Sequence, residues 1–175
     1  VAATPLLDSF YEDGLVDDNV FSILFCGDLA SMAIGGVDTT QVSSSDTQGL
    51  TFVDTQKTYD QIYGYFLVEV ESVEVDGAVV STDSTDLNEI GGVLVDSGTT
   101  LIYLPSEVTS AIETKVESKV DSLESSFFQW SSCVDESELE NFPDITLGLY
   151  GYDLSLSPYQ YRLWYSDCYY WGISS

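Results

Sequence analysis

Apolar residues Leu6, Leu7, Phe10 and Leu15 predict a short helix over Pro5 to Leu15, with a stop at Gly14. Strand patterns follow. Val20 to Cys26 is a compact apolar run that predicts a buried strand, and Ser31 to Gly36 predicts another, ended by Gly35-Gly36. Val42 to Gln48 is a polar turn region, and Leu50 to Val53 resumes the strand pattern. The longest β signal runs from Tyr63 to Val75. There Phe66, Val68 and Val70 alternate with Leu67, Glu69 and Glu71, and Val73 and Val75 carry the period of two onward. Asp76-Gly77 signals a hairpin turn, with Ala78-Val79-Val80 as the returning strand. Ser81 to Glu89 reads as a polar, acidic loop.

Val93-Leu94-Val95 predicts a fully apolar strand, and Asp96-Ser97-Gly98-Thr99-Thr100 follows it directly. Leu101 to Leu104 is apolar again. Pro105, in the first-turn position that favours proline, opens a helix through about Leu123. Its apolar members Val108, Ile112, Val116, Val120 and Leu123 recur at helical spacing, with Glu113, Lys115 and Lys119 on the polar side. Phe142 to Leu147, Tyr161 to Trp164 and Tyr169 to Ile173 complete the strands. No repeat and no linker interrupts the pattern. The expected fold is mostly β (a β-rich α+β class), one domain over residues 1–175 with one main helix and up to two short ones.

Charge narrows the function classes. Thirty Asp and Glu stand against four Lys and Arg, a formal net charge of −26. Such a surface repels phosphates and anionic lipid headgroups, so no nucleic acid partner is expected. The same repulsion weakens the folded state near neutral pH, which suits an acidic compartment or simply a solvated acidic exterior. The acidic runs Glu12-Asp13, Asp17-Asp18 and Asp135-Glu136 lack the ligand spacing of a calcium loop and are read as solvated surface. The chain has no histidine, so a Ser-His-Asp mechanism within it is excluded. No metal site, cofactor or phosphate-binding glycine loop is expected.

The aromatic residues Tyr150, Tyr152, Tyr159, Tyr161, Trp164, Tyr165, Tyr169, Tyr170 and Trp171 are read as sheet packing, with a carbohydrate or peptide platform as the alternative. Of the three cysteines, Cys133 and Cys168 can close a loop of about 35 residues. Cys26 is then either a buried free thiol or paired with a cysteine outside this chain. Disulfides imply an oxidising, secretory-type compartment. No apolar run reaches transmembrane length, Val1 opens like a cut or processed end with no signal peptide, and no Asn lies in an N-glycan acceptor.

Asp96 carries the candidate chemistry. A carboxylate directly after three apolar residues is costly to bury unless hydrogen bonds compensate. Gly98 lets a backbone amide approach it, and the hydroxyls of Ser97 and Thr99 can donate to its oxygens or tie down the loop. Such a turn can hold a carboxylate in a dry place facing a cleft. The alternative is an Asx-type turn in which Asp96 merely caps a loop.

The string Val95-Asp96-Ser97-Gly98-Thr99-Thr100 resembles the second-lobe motif of the pepsin-like aspartic peptidases. Other stretches are similar to that family in the same order. They are Leu15-Val16 with Phe21-Ser22-Ile23, Ile34-Gly35-Gly36-Val37-Asp38, Gly64-Tyr65-Phe66 through Val75-Asp76-Gly77, Leu104-Pro105, Cys133, Phe142-Pro143-Asp144-Ile145 and Cys168. Phe25-Cys26-Gly27, Asp96-Ser97-Gly98-Thr99-Thr100 and Asp167-Cys168-Tyr169 resemble the beta-secretase branch more than pepsin itself.

The resemblance implies an aspartic endopeptidase, with this chain as its C-terminal lobe. Two aspartates, one per lobe, hold a water and share a proton. Asp96 is one of them. Ser97, Gly98 and Thr99 support the active-site loop, Thr99 anchoring it toward the other lobe, and Thr100 and Tyr65 line the peptide cleft. Cys133 and Cys168 form a disulfide, and Cys26 pairs with a cysteine beyond residue 175. No second Asp-Thr/Ser-Gly occurs here, since Asp54-Thr55-Gln56 and Asp83-Ser84-Thr85 lack the glycine. The chain alone is therefore expected to be inactive, needing a first lobe, from the same protein or a second chain, and a peptide or protein substrate. Location is expected to be secreted, or the lumen of the secretory or endolysosomal pathway, with any membrane anchor outside this chain. The alternative functions are a catalytically silent relative with a structural or binding role in an extracellular assembly, and an unrelated β-rich adhesion module.

Overall fold

The computed structural model describes residues 4–26, 29–38, 51–58, 64–89, 91–121 and 123–175. The polar turn expected over Val42 to Gln48, Leu50 and Tyr63 lie outside these residues. The chain divides into two compact units, residues 1–50 and 51–175.

In the first unit, helix α1 (Leu6–Glu12) begins after Pro5, and the chain leaves it through Gly14. Strands β1 (Phe21–Cys26) and β2 (Leu29–Ile34) pair antiparallel, with Phe21 opposite Ile34 and Cys26 opposite Leu29. The expectation that β1 is buried does not hold: Phe25 is 68% exposed, and Phe21 and Ile23 are also open. A two-stranded ribbon supplies no second layer to cover its apolar face. The side chain of Cys26 lies outside the described residues.

In the second unit, residues 51–53 of the strand expected over Leu50 to Val53 are not in a strand. Gln56 instead makes an isolated bridge to Leu67. Strands β3 (Leu67–Val68), β4 (Val70–Val75) and β5 (Ala78–Ser81) follow. Then come helix α2 (Ser84–Leu87) and strands β6 (Val93–Leu94) and β7 (Ile102–Tyr103). Helix α3 spans Ser106–Glu117, a 3-10 turn spans Ser125–Phe127, and α4 spans Glu136–Leu139. Strands β8 (Ile145–Leu149), β9 (Tyr152–Leu156), β10 (Arg162–Tyr165), β11 (Cys168–Trp171) and β12 (Ile173–Ser174) complete the chain. The fold is mostly strands with few helices, as expected.

The main sheet is antiparallel, in the order β5-β4-β8-β9. Asp76 and Gly77 close the β4–β5 hairpin with φ of 52° and 70°, the left-handed pair that a type I′ turn requires. The long strand read over Tyr63 to Val75 is broken. Leu67, Val70, Val73 and Val75 are the buried positions, and Phe66 is exposed. Two features shift the face. The chain changes partner from β6 to β8 after Val68, and a bulge lies between Val70 and Ser72 against β8.

The acidic loop expected over Ser81 to Glu89 contains the turn of helix α2. Asp83 Oδ1 accepts from the backbone N–H groups of Thr85 and Asp86 at 3.1 and 3.4 Å. That satisfies helix-start donors and seats Leu87 in the core. Asp135 likewise caps α4 in a capping box with Glu138, so this acidic run has a structural task.

Pro105 stands at the N-cap of α3, one place before the first turn. Val108, Ile112 and Val116 are buried on the face that packs on β4 and β5. The helix stops at Glu117, short of Leu123. Ser118 Oγ donates to the Lys115 carbonyl at 2.7 Å, a side-chain bond that competes with helix propagation. Lys119 then forms an ion pair with Asp76 of the hairpin turn.

Tyr161 and Trp171 are buried in a cluster of edge-on rings. Phe127 lies 5.4 Å from Phe142 and 6.0 Å from Trp171, and Tyr161 lies 5.8 Å from Trp171. This supports packing as the use of the aromatic segment. Tyr161 Oη donates to the Pro143 carbonyl at 2.6 Å, and burial raises its pKa.

Cys133 and Cys168 are joined, with Cα atoms 5.8 Å apart. Beside them Val134 and Tyr169 exchange two backbone hydrogen bonds of 3.0 Å. Replacing both cysteines by Ser should destabilise the second unit by about 2–4 kcal/mol, the loop-closure effect of one disulfide. Denaturant titration measures it, and a loss far below that range would show that the Val134–Tyr169 bridge holds the segment unaided.

Candidate active site

Two short strands deliver Asp96. β3 and β6 pair antiparallel, with Leu67 opposite Leu94 and Val68 opposite Val93. The pairing runs one residue further, since Val95 N–H donates to the Phe66 carbonyl at 2.8 Å. Asp96 is the next residue, at the point where the ribbon ends.

The loop after it folds back onto the carboxylate. Gly98 N–H donates to Asp96 Oδ1 at 2.9 Å, and Thr99 Oγ1 donates to Oδ2 at 2.5 Å. Thr99 N–H also donates to the Asp96 carbonyl at 3.3 Å. A Cβ on Gly98 would stand 3.2 Å from Oδ1, so glycine permits this close approach. The Thr99 hydroxyl and then the Gly98 amide hold the Asp96 carboxyl below its ordinary pKa, against a smaller opposing push from burial. Both bonds favour the charged form.

The expectation of a dry carboxylate is corrected. Residues 96–100 are all exposed, and so are Leu94 and Val95 beneath them. The β3–β6 ribbon is two-stranded, and among the described residues no third strand pairs with it to extend the sheet. The amide bond from Gly98 is an Asx turn, the geometry of the capping alternative.

A groove of about 540 Å³ opens beside the loop. Asp96, Thr99 and Thr100 stand on it, and Val68, Val93, Leu147, Leu149 and Leu154 supply apolar wall. Thr100 is thus brought to Asp96. Tyr65 is exposed and borders a different hollow with Thr55, Gly64 and Phe66. Continuing the β3–β6 register places Tyr65 opposite Asp96 on the neighbouring strand. Ser97 is exposed between Asp96 and Gly98. The wall residues of β9 were not anticipated. Their signal was the alternation of Tyr152, Leu154 and Leu156 with Asp153 and Ser155.

The family model for eukaryotic aspartyl protease matches residues 1–173. The chain belongs to the eukaryotic aspartyl protease family. Its fold is that of part of a pepsin-like aspartic protease lobe. Among relatives of the chain, pepsin A of Sus scrofa is 29% identical over 166 residues, covering 92% of this chain and 37% of that protein. Vacuolar protease A of Arthroderma otae is 26% identical over 167 residues, covering 91% and 35%. Pepsin II-1 of Oryctolagus cuniculus is 28% identical over 163 residues, covering 90% and 37%. The chain spans a little over a third of the length of these relatives.

Proposed function

We propose that residues 1–175 are the C-terminal lobe of a pepsin-like aspartic endopeptidase in which Asp96 is one of two catalytic aspartates. The observation that carries the reading is Asp96 itself. It is a carboxylate held by two donors at the end of a strand pair, beside an apolar groove, in a chain that matches the family over nearly its whole length. In the full protein a first lobe, from the same protein or a second chain, supplies the other aspartate. Two carboxylates so close share a proton. One takes a proton from the water held between them as it attacks the scissile carbonyl, and the other protonates the carbonyl oxygen. Gly98 and Thr99 hold the Asp96 carboxylate, Ser97 supports the loop, and Thr100 and Tyr65 contact substrate. This chain alone is inactive.

These relatives are pepsins and a vacuolar protease, which supports the pepsin-like level and not the finer beta-secretase branch. The disulfide and the vacuolar relatives support a secretory or vacuolar lumen as its place. Cys26 pairing beyond residue 175 belongs to the same proposal. A second reading, a catalytically silent relative, is favoured by one observation: the Asx turn at Asp96 is a complete local structure without a second carboxylate.

The test is cleavage of a peptide by the full-length protein at acid pH. Stoichiometric inhibition by pepstatin is the expected result. Absence of both cleavage and pepstatin binding would favour the silent relative.

A further inference from the structure

Basic charge is scarce in this chain and largely engaged. Residues 1–50 hold no Lys or Arg, against a total charge of −26. Of the four basic residues, Lys119 is tied to Asp76. Arg162 lies over the rings of Tyr159 and Tyr169, 5.6 and 4.8 Å from their centroids. The groove beside Asp96 has apolar walls. Asp54, Glu71 and Asp153, the sequence neighbours of its lining residues Val53, Val70 and Leu154, are exposed. Apolar walls of low dielectric focus the field of surrounding charge into a cleft.

We propose that the substrates of this site are cationic: peptides or protein segments rich in Lys and Arg, drawn to Asp96 by the negative field of the lobe rather than by one ion pair. This rests on the reading of Asp96 as catalytic. Field attraction of this kind raises association by about 10- to 10³-fold, and it repels acidic chains by the same mechanism. Salt separates it from contact recognition. The screening length is about 30 Å at 0.01 M ionic strength and about 3 Å at 1 M, so a field effect disappears over that range.

The experiment uses the full-length protein and two peptides with identical residues around the scissile bond. One is Lys-rich and the other Glu-rich at positions away from it. At about pH 5.5, where carboxylates are ionised, kcat/KM should favour the Lys-rich peptide about 10-fold or more at ~0.01 M ionic strength. The two should converge at ~1 M, with similar kcat throughout. A triple variant, Asp54→Asn, Glu71→Gln and Asp153→Asn, should narrow the low-salt discrimination and leave cleavage of a neutral peptide unchanged. Equal rates at low salt, a preference that survives high salt, or an unaltered preference in the triple variant each overturn the inference. Cleavage without discrimination leaves the catalytic reading standing. No cleavage of either peptide overturns both.

Discussion

Replacing Asp96 by Asn in the full-length protein should lower kcat/KM for peptide hydrolysis by about 10³-fold or more, the scale of a lost general acid–base group. The fold should not change. Asn keeps a side-chain oxygen that accepts from Gly98 N–H, so the Asx turn survives. Circular dichroism should therefore match the parent, with the thermal midpoint lowered only by the changed Thr99 bond at Oδ2, while activity is lost. Cleavage at the parental rate would refute the catalytic assignment.

Thr99→Val provides a second reading of the same site. It removes the 2.5 Å donor to Oδ2 that contributes most to holding the Asp96 carboxyl below its ordinary value. The acid limb of the kcat/KM profile, a property of the coupled pair, should then move to higher pH. The sign of the stability effect is the usual one for a depressed carboxylate. The contribution of these bonds is present above the ordinary Asp pKa of 3.8 and lost as pH falls through the lowered folded value.

Local signals were legible in the chain. Asp76-Gly77 specifies its hairpin because the turn is decided by two residues. The buried face of α3 follows from the spacing of Val108, Ile112 and Val116. Asp96 after Val95 announces its loop for the same reason, since Gly98 and Thr99 reach the carboxylate from within three residues. Properties set between elements were not legible. The exposure of Leu94 and Val95 depends on what covers a two-stranded ribbon, which an apolar run cannot report. The face of the 63–75 segment was misjudged because a bulge and a partner change alter the period. The helical turn α2 was hidden because Asp83 and Leu87 act through a cap and a core contact, each only one residue strong. The groove needs β8 and β9 to be placed beside β6, a tertiary arrangement.

The largest stability effect is expected at Trp171. Its side chain is 1% exposed, and it meets Phe127, Phe128 and Tyr161 edge-on with centroids 5.1 to 6.0 Å away. Truncation to Ala should cost about 3–5 kcal/mol, because a wide ring is removed and its neighbours cannot close the gap. Trp171→Phe keeps most of that contact. It also removes an indole N–H that is buried without a hydrogen-bond partner among the described residues, although it lies near enough to Glu113 to oppose the upward push of burial on that carboxyl. Because the ring contact is what Ala loses, Phe should recover much of the loss seen with Ala. Trp164, 56% exposed on the adjacent strand, serves as the control, and its replacement by Ala should change stability by only about 0.5 kcal/mol or less. Chemical denaturation of the three variants discriminates the two uses of an aromatic-rich segment. A core gives this ordering. A ligand platform would instead leave Trp171→Ala near parental stability, since exposed rings hold little of the fold.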